Sequence, residues 1–411
     1  MDSSAAFQTV TRFASQTAVH RAFQWFHLQE PRIRAWHQAV AAIPAPPFGE
    51  AARAHWMAER FHELGLQSVE LDACGNALGW IRGSNSSLAA GCTLLSAHLD
   101  TVFSAGDFFP PLEKDGRLQG PGVSDNSAGL AALLAIAACL QQSDIHPASP
   151  LLFVANVGEE GEGNLRGMRH LFHTSSLQDR IRSAIVLDGA GTESIVTQAI
   201  GSRRFSVTIT GPGGHSWAEA DRPNPILMLA RGLSLLEEFA LPPAPRTTWS
   251  VGRMEGGASV NAIPQSANAK LDTRSVDAGQ LDALEAALRQ SFLSAVEERV
   301  QRATAADIDC DAVRCQIECI GERPAATIAD DTSLLALLRA VDRHLGLRSS
   351  LRAASTDANI PLALGIPAIS IGGGGSGGGV HTLQEWFDPA GRELALRRIL
   401  LLALAVAGEM A

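Results

Sequence analysis

Five separated segments of the chain carry side chains able to bind a metal ion or move a proton: His98-Leu99-Asp100, Asp125, Glu159-Glu160, Asp188 and His381. Their types meet the needs of two zinc ions, a carboxylate shared between them and a spare glutamate, the equipment for water-activated hydrolysis of an amide bond. His98 and Asp100 stand two positions apart, so at a strand end both can point the same way. The Asp100 carboxylate is then expected to accept the second N–H of the imidazole and set its metal-binding tautomer. Asp125 precedes the small residues Ser127, Ala128 and Gly129, which let the backbone pack closely while the carboxylate projects. Adjacent carboxylates at Glu159 and Glu160 invite a division of labour, one binding metal and the other handling protons. Each feature also has an ordinary reading, as a polar pair, a helix N-cap, a solvated turn or a loop histidine. Their joint occurrence points to a metal centre.

The surrounding text supplies elements that could carry them. Residues 93–97, 151–157 and 184–187 read as apolar strands, each ending just before one of these groups. Residues after Asp125 open an apolar helix reaching about Gln141. Strands alternating with helices, with polar groups just past the strand ends, predict an open α/β sheet with its site at the carboxyl edge. The first forty or so residues read as a helical arm rich in aromatics, followed by a proline-stiffened loop and an amphipathic helix over 51–64. Between 200 and 320 the order becomes βαββαβ, a ferredoxin-like inserted domain. Three spans result: 1–199 and 321–411 as two parts of one domain, and 200–320 as the insertion. The glycine run at 372–379 leads to His381, which reaches the other groups only if its loop folds back over the sheet edge.

Other histidines lack such support. His170 and His173 form a His-x-x-His on an expected helix but read as surface residues, and His20, His27, His37, His55, His62, His146 and His344 have no chemical context. With 46% hydrophobic and 18% charged residues over 411 positions, the chain can bury more than one core. A net charge of −10 argues against a nucleic-acid partner, which would need a basic stripe. No apolar run approaches the roughly 18–20 residues needed to cross a bilayer, so no membrane partner is expected. The opening residues carry no positively charged segment ahead of an apolar one, which favours a cytoplasmic protein. The six cysteines form no Cys-x-x-Cys pair and read as reduced. Cys315 and Cys319 share a strand parity but lack two further ligands for a zinc site.

The motifs resemble those of the dizinc metallopeptidase family that includes aminoacylase, carboxypeptidase G, succinyl-diaminopimelate desuccinylase and peptidase T. Ser96-Ala97-His98-Leu99-Asp100-Thr101-Val102 is similar to the family's first metal motif, and Gly120-Pro121-Gly122-Val123-Ser124-Asp125-Asn126-Ser127-Ala128-Gly129 to its second. The resemblance implies a zinc-exopeptidase-like α/β catalytic domain with an inserted ferredoxin-like lid and dimerisation domain. It implies that His98 and Asp188 complete one zinc site, Glu160 and His381 the other, and Asp125 bridges them; Co2+ or Mn2+ could replace Zn2+. Glu159 would be the general base, with Asp100 as a further catalytic residue. In the insertion, Gly213-Gly214-His215-Ser216 resembles the segment of the lid histidine, which stabilises the oxyanion, often from the other subunit of a homodimer. Asn261 and Arg274 match the substrate-binding positions, Arg274 as a clamp on a substrate carboxylate or as the ion-pair partner of Asp272. Asn126-Ser127-Ala128-Gly129 without a nearby lysine, and Ser355-Thr356-Asp357-Ala358-Asn359, lean toward the peptidase T side. The expected activity is hydrolysis of short peptides, with an N-acyl-amino-acid amidohydrolase or a carboxypeptidase G-like enzyme as the alternative.

Overall fold

Strands covered on both faces read as continuous apolar runs, and Cys92–His98, Leu151–Asn156 and Ala368–Ile371 are buried at every position. In the computed structural model, which describes residues 1–84, 91–308 and 310–409, these strands form the middle of a mixed sheet. Its order across the sheet is Gln67–Leu71, Ala77–Ile81, Leu151–Asn156, Cys92–His98, Ile181–Leu187, Ala368–Ile371, Ser194–Ala199 and Ala326–Thr327, with Ser350–Ala354 also pairing with Ser194–Ala199. The four inner strands from Leu151–Asn156 to Ala368–Ile371 are mutually parallel. Their neighbours on either side are antiparallel to them. All four inner carboxyl ends therefore open onto one edge.

Helix Ser127–Gln142 is buried from Ser127 to Leu140 and packs on the central strands. Helix Arg392–Glu409 packs on the same face. Three amino-terminal helices, Ser3–Ala14, Thr17–Leu28 and Glu30–Ala41, lie over this layer: the first meets helix Ser333–Leu345, and the second and third meet Ser127–Gln142. The amino-terminal arm is thus an outer layer over the sheet and its helices, which explains why so apolar a helix as Ser127–Gln142 is sequestered. Among the described residues no helix is long and apolar enough to cross a membrane, and all six cysteines are free.

By internal contacts the chain divides into two units, Met1–Ala199 with Thr327–Ala411, and Ile200–Ala326. The second unit has the element order βαββαβ and a four-stranded antiparallel sheet in the spatial order Thr247–Gly256, Ser266–Ser275, Gly201–Thr210, Arg314–Arg323. Ser266–Ser275 alternates buried and accessible side chains, as expected when one sheet face is covered. Helices Pro225–Glu237 and Ala278–Ala305 cover that face around Phe205, Val207, Leu229, Leu284 and Phe292. The last strand runs to Arg323, beyond residue 320, the expected end of the insertion, because pairing with Gly201–Thr210 continues to Ser202.

Candidate active site

The inner strands deliver their groups to one place. His98 ends its strand, Glu159 and Glu160 follow Leu151–Asn156, and Asp188 follows Ile181–Leu187. His381 arrives by a different route. Beyond Ala368–Ile371 the glycine run doubles back, and Ser376–Gly378 joins Trp386–Asp388, Arg117–Gln119 and Leu112–Lys114 in a small antiparallel sheet. The run is a packed turn. A Cβ at Gly377 would lie 2.2 Å from Ser124 Oγ, and one at Gly375, at φ 68°, would lie 2.4 Å from the Asp388 carbonyl.

Asp125 sits between two imidazoles. Its Oδ1 is 3.1 Å from His98 Nε2 and its Oδ2 is 3.2 Å from His381 Nε2. Around His98 the third group is Asp188, with Oδ1 at 3.7 Å; around His381 it is Glu160, with Oε1 at 3.1 Å. Two sets of potential ligand atoms result, His98/Asp125/Asp188 and Asp125/Glu160/His381, each within 4.8 Å and sharing Asp125. Glu159, almost fully buried, falls within the same limit of His98 and Glu160. Two imidazole nitrogens and two carboxylates around one shared carboxylate are a donor set that suits a pair of zinc-like divalent ions.

The electrostatics follow from this crowding. Burial disfavours a charged His98, but hydrogen bonds to Asp125 and Asp188 outweigh it and raise its pKa well above the ordinary value. Hydrogen bonds to Asp125 and Glu160 lift His381 to about 10. Burial works against ionised Asp125, yet the two histidines hold its carboxyl far below the usual range.

A sequence model of peptidase family M20/M25/M40 matches residues 94–405, a span that includes every group just described. The chain belongs to this family. Over 203 residues it is 32% identical to a protein described as a probable carboxypeptidase of Aspergillus terreus, covering 45% of this chain and 45% of that one. The chain thus spans about half the length of the curated relatives it matches there. The fold is similar to that of aminopeptidase PepT from Bacillus cereus, with a TM-score of 0.72 and 20% identity over 92% of this chain and 98% of that one. A tripeptidase from Staphylococcus aureus is alike at 0.73 and 22%, with the same coverage.

Asp100 does something other than what its spacing suggested in this M20 chain. Its carboxylate is 3.7 Å from His98 Nδ1, and it is the Asp100 main-chain carbonyl, at 3.0 Å, that accepts that N–H. The carboxylate instead accepts from the amides of Glu159 and Glu160, at 2.9 and 2.7 Å. Asp100 therefore positions the glutamate pair while its backbone orients the imidazole. Asp125 is likewise not the helix cap. Asn126, joined to it by a cis peptide, accepts from Gly129 N–H at 3.1 Å and ties the helix start to the strand before Asp188 through Leu187 O, at 2.8 Å. Capping by its neighbour leaves Asp125 free to project.

Two supporting residues, Glu50 and Arg53, carried no signal in the sequence, and Asp357 stood in the segment 355–359 without a role at the site. Glu50, from the proline-stiffened loop, is buried and forms a two-pronged pair with Arg166 at 2.8 and 2.7 Å, just beyond the glutamate pair. Arg53, fully buried, donates to Leu99 O at 2.7 Å, and burial lowers its pKa to about 10. Asp357, buried behind His98, accepts from Asn156 Nδ2 at 2.7 Å and is pushed by burial up to about 7. His170 is partly buried with Asp72 at 3.8 Å, while His173 is exposed.

His37 is no bystander. It is fully buried, its Nε2–H donates to Val123 O at 2.6 Å, and its Nδ1 accepts from Arg392 Nη2 at 3.1 Å. Burial first, and the Arg392 cation second, lower its pKa from 6.5 to about 3. The folded protein thus refuses a proton that the unfolded chain binds, so this contribution to stability is complete above about pH 6.5 and is lost as pH falls toward 3. Between about pH 7.5 and about pH 5 the loss should be ~2 kcal/mol, at ~1.4 kcal/mol per pH unit below the unfolded pKa. In denaturant unfolding of metal-free protein, the drop should be smaller by that amount in His37→Gln. Equal drops in the two proteins would mean that His37 is already protonated when folded.

In the inserted unit, His215 and Asn261 meet: Gly214–His215 pairs with Ala262–Ile263, and Ser216 N–H donates to Asn261 O at 3.2 Å. Amides of Trp217 and Ala218 donate to His215 Nδ1 at 3.1 and 3.3 Å, which leaves Nε2 to carry the proton on an exposed ring. Ser259 Oγ donates to Asn261 Oδ1. Arg274 is not with them. It lies toward the opposite end of Ser266–Ser275, roughly 25 Å of strand away at ~3.3 Å per residue, and its Nε pairs with Asp272 at 2.6 Å.

Proposed function

We propose that the chain is a cytoplasmic dizinc exopeptidase that hydrolyses short peptides. The observation that carries this reading is the sharing of the two Asp125 oxygens between two ligand groups, with Glu159 beside them. His98 and Asp188 would hold one ion, Glu160 and His381 the other, and Asp125 both. The bound ions would polarise the scissile carbonyl and acidify the attacking water. Glu159 takes the proton from that water and returns it to the leaving amine. Its amide is tethered to Asp100 and its strand is buried, so the base is held without its side chain being committed to the tether.

In the inserted unit, acting as a lid, the His215 Nε2–H would donate to the developing oxyanion. Asn261 would bind substrate near it, and Arg274 would leave Asp272 for a substrate carboxylate. Placement of His215 and Arg274 toward opposite ends of one strand supports a homodimer in which one lid serves two active sites. The accessible edge strand Thr247–Gly256, with Val251 and Met254 exposed, offers a pairing surface for a second lid. Six free cysteines support a reducing compartment.

The preference for peptides over N-acyl amino acids rests on the segments 126–129 and 355–359 and agrees with the PepT and tripeptidase folds above. Freshly prepared protein should contain two equivalents of zinc and cleave free-amine di- and tripeptides, and chelation should abolish cleavage. Two equivalents of metal with turnover of N-acetyl amino acids alone would replace the peptidase reading by the amidohydrolase one. A protein without metal affinity would overturn both.

A further inference from the structure

We propose that Glu385 is a positioning residue that holds the shared carboxylate of Asp125 and the imidazole of His381 in one register. This deepens the dizinc reading and rests on it. Glu385 is fully buried. Its Oε1 accepts from the amides of Ser124 and Asp125 at 2.6 and 2.8 Å, and its Oε2 accepts from Gly122 N–H at 3.0 Å. Its main-chain carbonyl accepts from Gly120 at 2.9 Å. Residues 120–125 are thus gripped by one side chain and its own backbone. From the other side, His37 donates to Val123 O.

The same residue governs His381. Glu385 closes the loop that carries His381: its amide donates to Thr382 O, and the next two residues, Trp386 and Phe387, pair with Gln119 and Leu118. The Asp125 turn and the His381 loop, far apart in the chain, therefore share one carboxylate as their common anchor. Three neutral amides converging on a carboxylate form strong, charge-assisted bonds whose direction is set by the lone pairs. An amide side chain cannot reproduce them. Its NH2 would face a main-chain N–H where an acceptor is required, and the turn would have to shift.

The test compares Glu385→Gln and Glu385→Asp with the unaltered protein by zinc titration against a chelating competitor and by steady-state kinetics. Zinc affinity should fall by roughly 10–100-fold in both variants, with kcat reduced and KM little changed, because no substrate contact is altered. Glu385→Asp keeps the charge but withdraws it by one methylene, so it answers the question if the glutamine variant does not fold. Asp342→Asn, which breaks the buried Arg398–Asp342 pair away from the site, controls for general destabilisation and should keep wild-type zinc affinity. Wild-type affinity in a folded Glu385 variant, or an equal loss in Asp342→Asn, would overturn the proposal. Absence of zinc binding in the unaltered protein would instead sink the dizinc reading itself.

Discussion

Replacing Glu159 by Ala is expected to lower kcat by roughly 10³-fold, the contribution of a well-placed general base, while zinc content stays near two equivalents. The separation of the two effects is what makes the experiment informative. Glu159 lies within the same 4.8 Å as His98 and Glu160, so distance alone does not tell a base from a ligand. The four groups arranged about Asp125 can hold two ions without Glu159, with Asp125 shared. Its amide bond to the Asp100 carboxylate is a main-chain contact that alanine keeps, so the loop should retain its shape. Metal analysis and kinetics on one preparation decide the matter. Loss of one zinc equivalent together with activity would make Glu159 a ligand, and turnover within about tenfold of wild type would place the base elsewhere.

Mixing two inactive variants is expected to restore activity. His215→Ala should lose roughly 10²–10³-fold in kcat, the usual cost of removing an oxyanion donor, and Glu159→Ala is inactive for the reason above. If His215 of one subunit serves the site of its partner, each mixed dimer of a two-fold pair contains one site with both groups intact. Random exchange makes about half of the dimers mixed, so about one quarter of wild-type activity should return. A site built within one chain would stay inactive at every mixing ratio, provided that subunit exchange is confirmed independently. The tautomer of His215 gives the prediction its chemical basis: with Nδ1 accepting from two amides, the ring offers Nε2–H as a donor without needing a charge.

Much of this protein is legible without coordinates. Ligand chemistry depends on residue type, and strand ends can be read from apolar runs, so His98, Glu159-Glu160 and Asp188 could be placed at the edge of a parallel sheet from local text alone. Helix Ser127–Gln142 and the βαββαβ order were readable for the same reason, since periodicity and run length are local properties. What lay beyond reach was the destination of individual hydrogen bonds. Asp100 and His98 are spaced as a metal-site pair, yet the carboxylate goes to the Glu159 and Glu160 amides because those amides, brought in by the neighbouring strand, are the buried donors that most need it. The cap reading fell on Asp125 alone, and only the closeness of Leu187 and Gly189 assigns the task to Asn126. Glu385 and His37 had no distinguishing pattern, because their partners at residues 122–125 lie 260 and 86 positions away in the chain. The residue types that bear the chemistry were therefore determined by sequence, whereas the residues that aim them were decided only by tertiary structure, where buried amides and carbonyls must find partners among whichever side chains folding brings near.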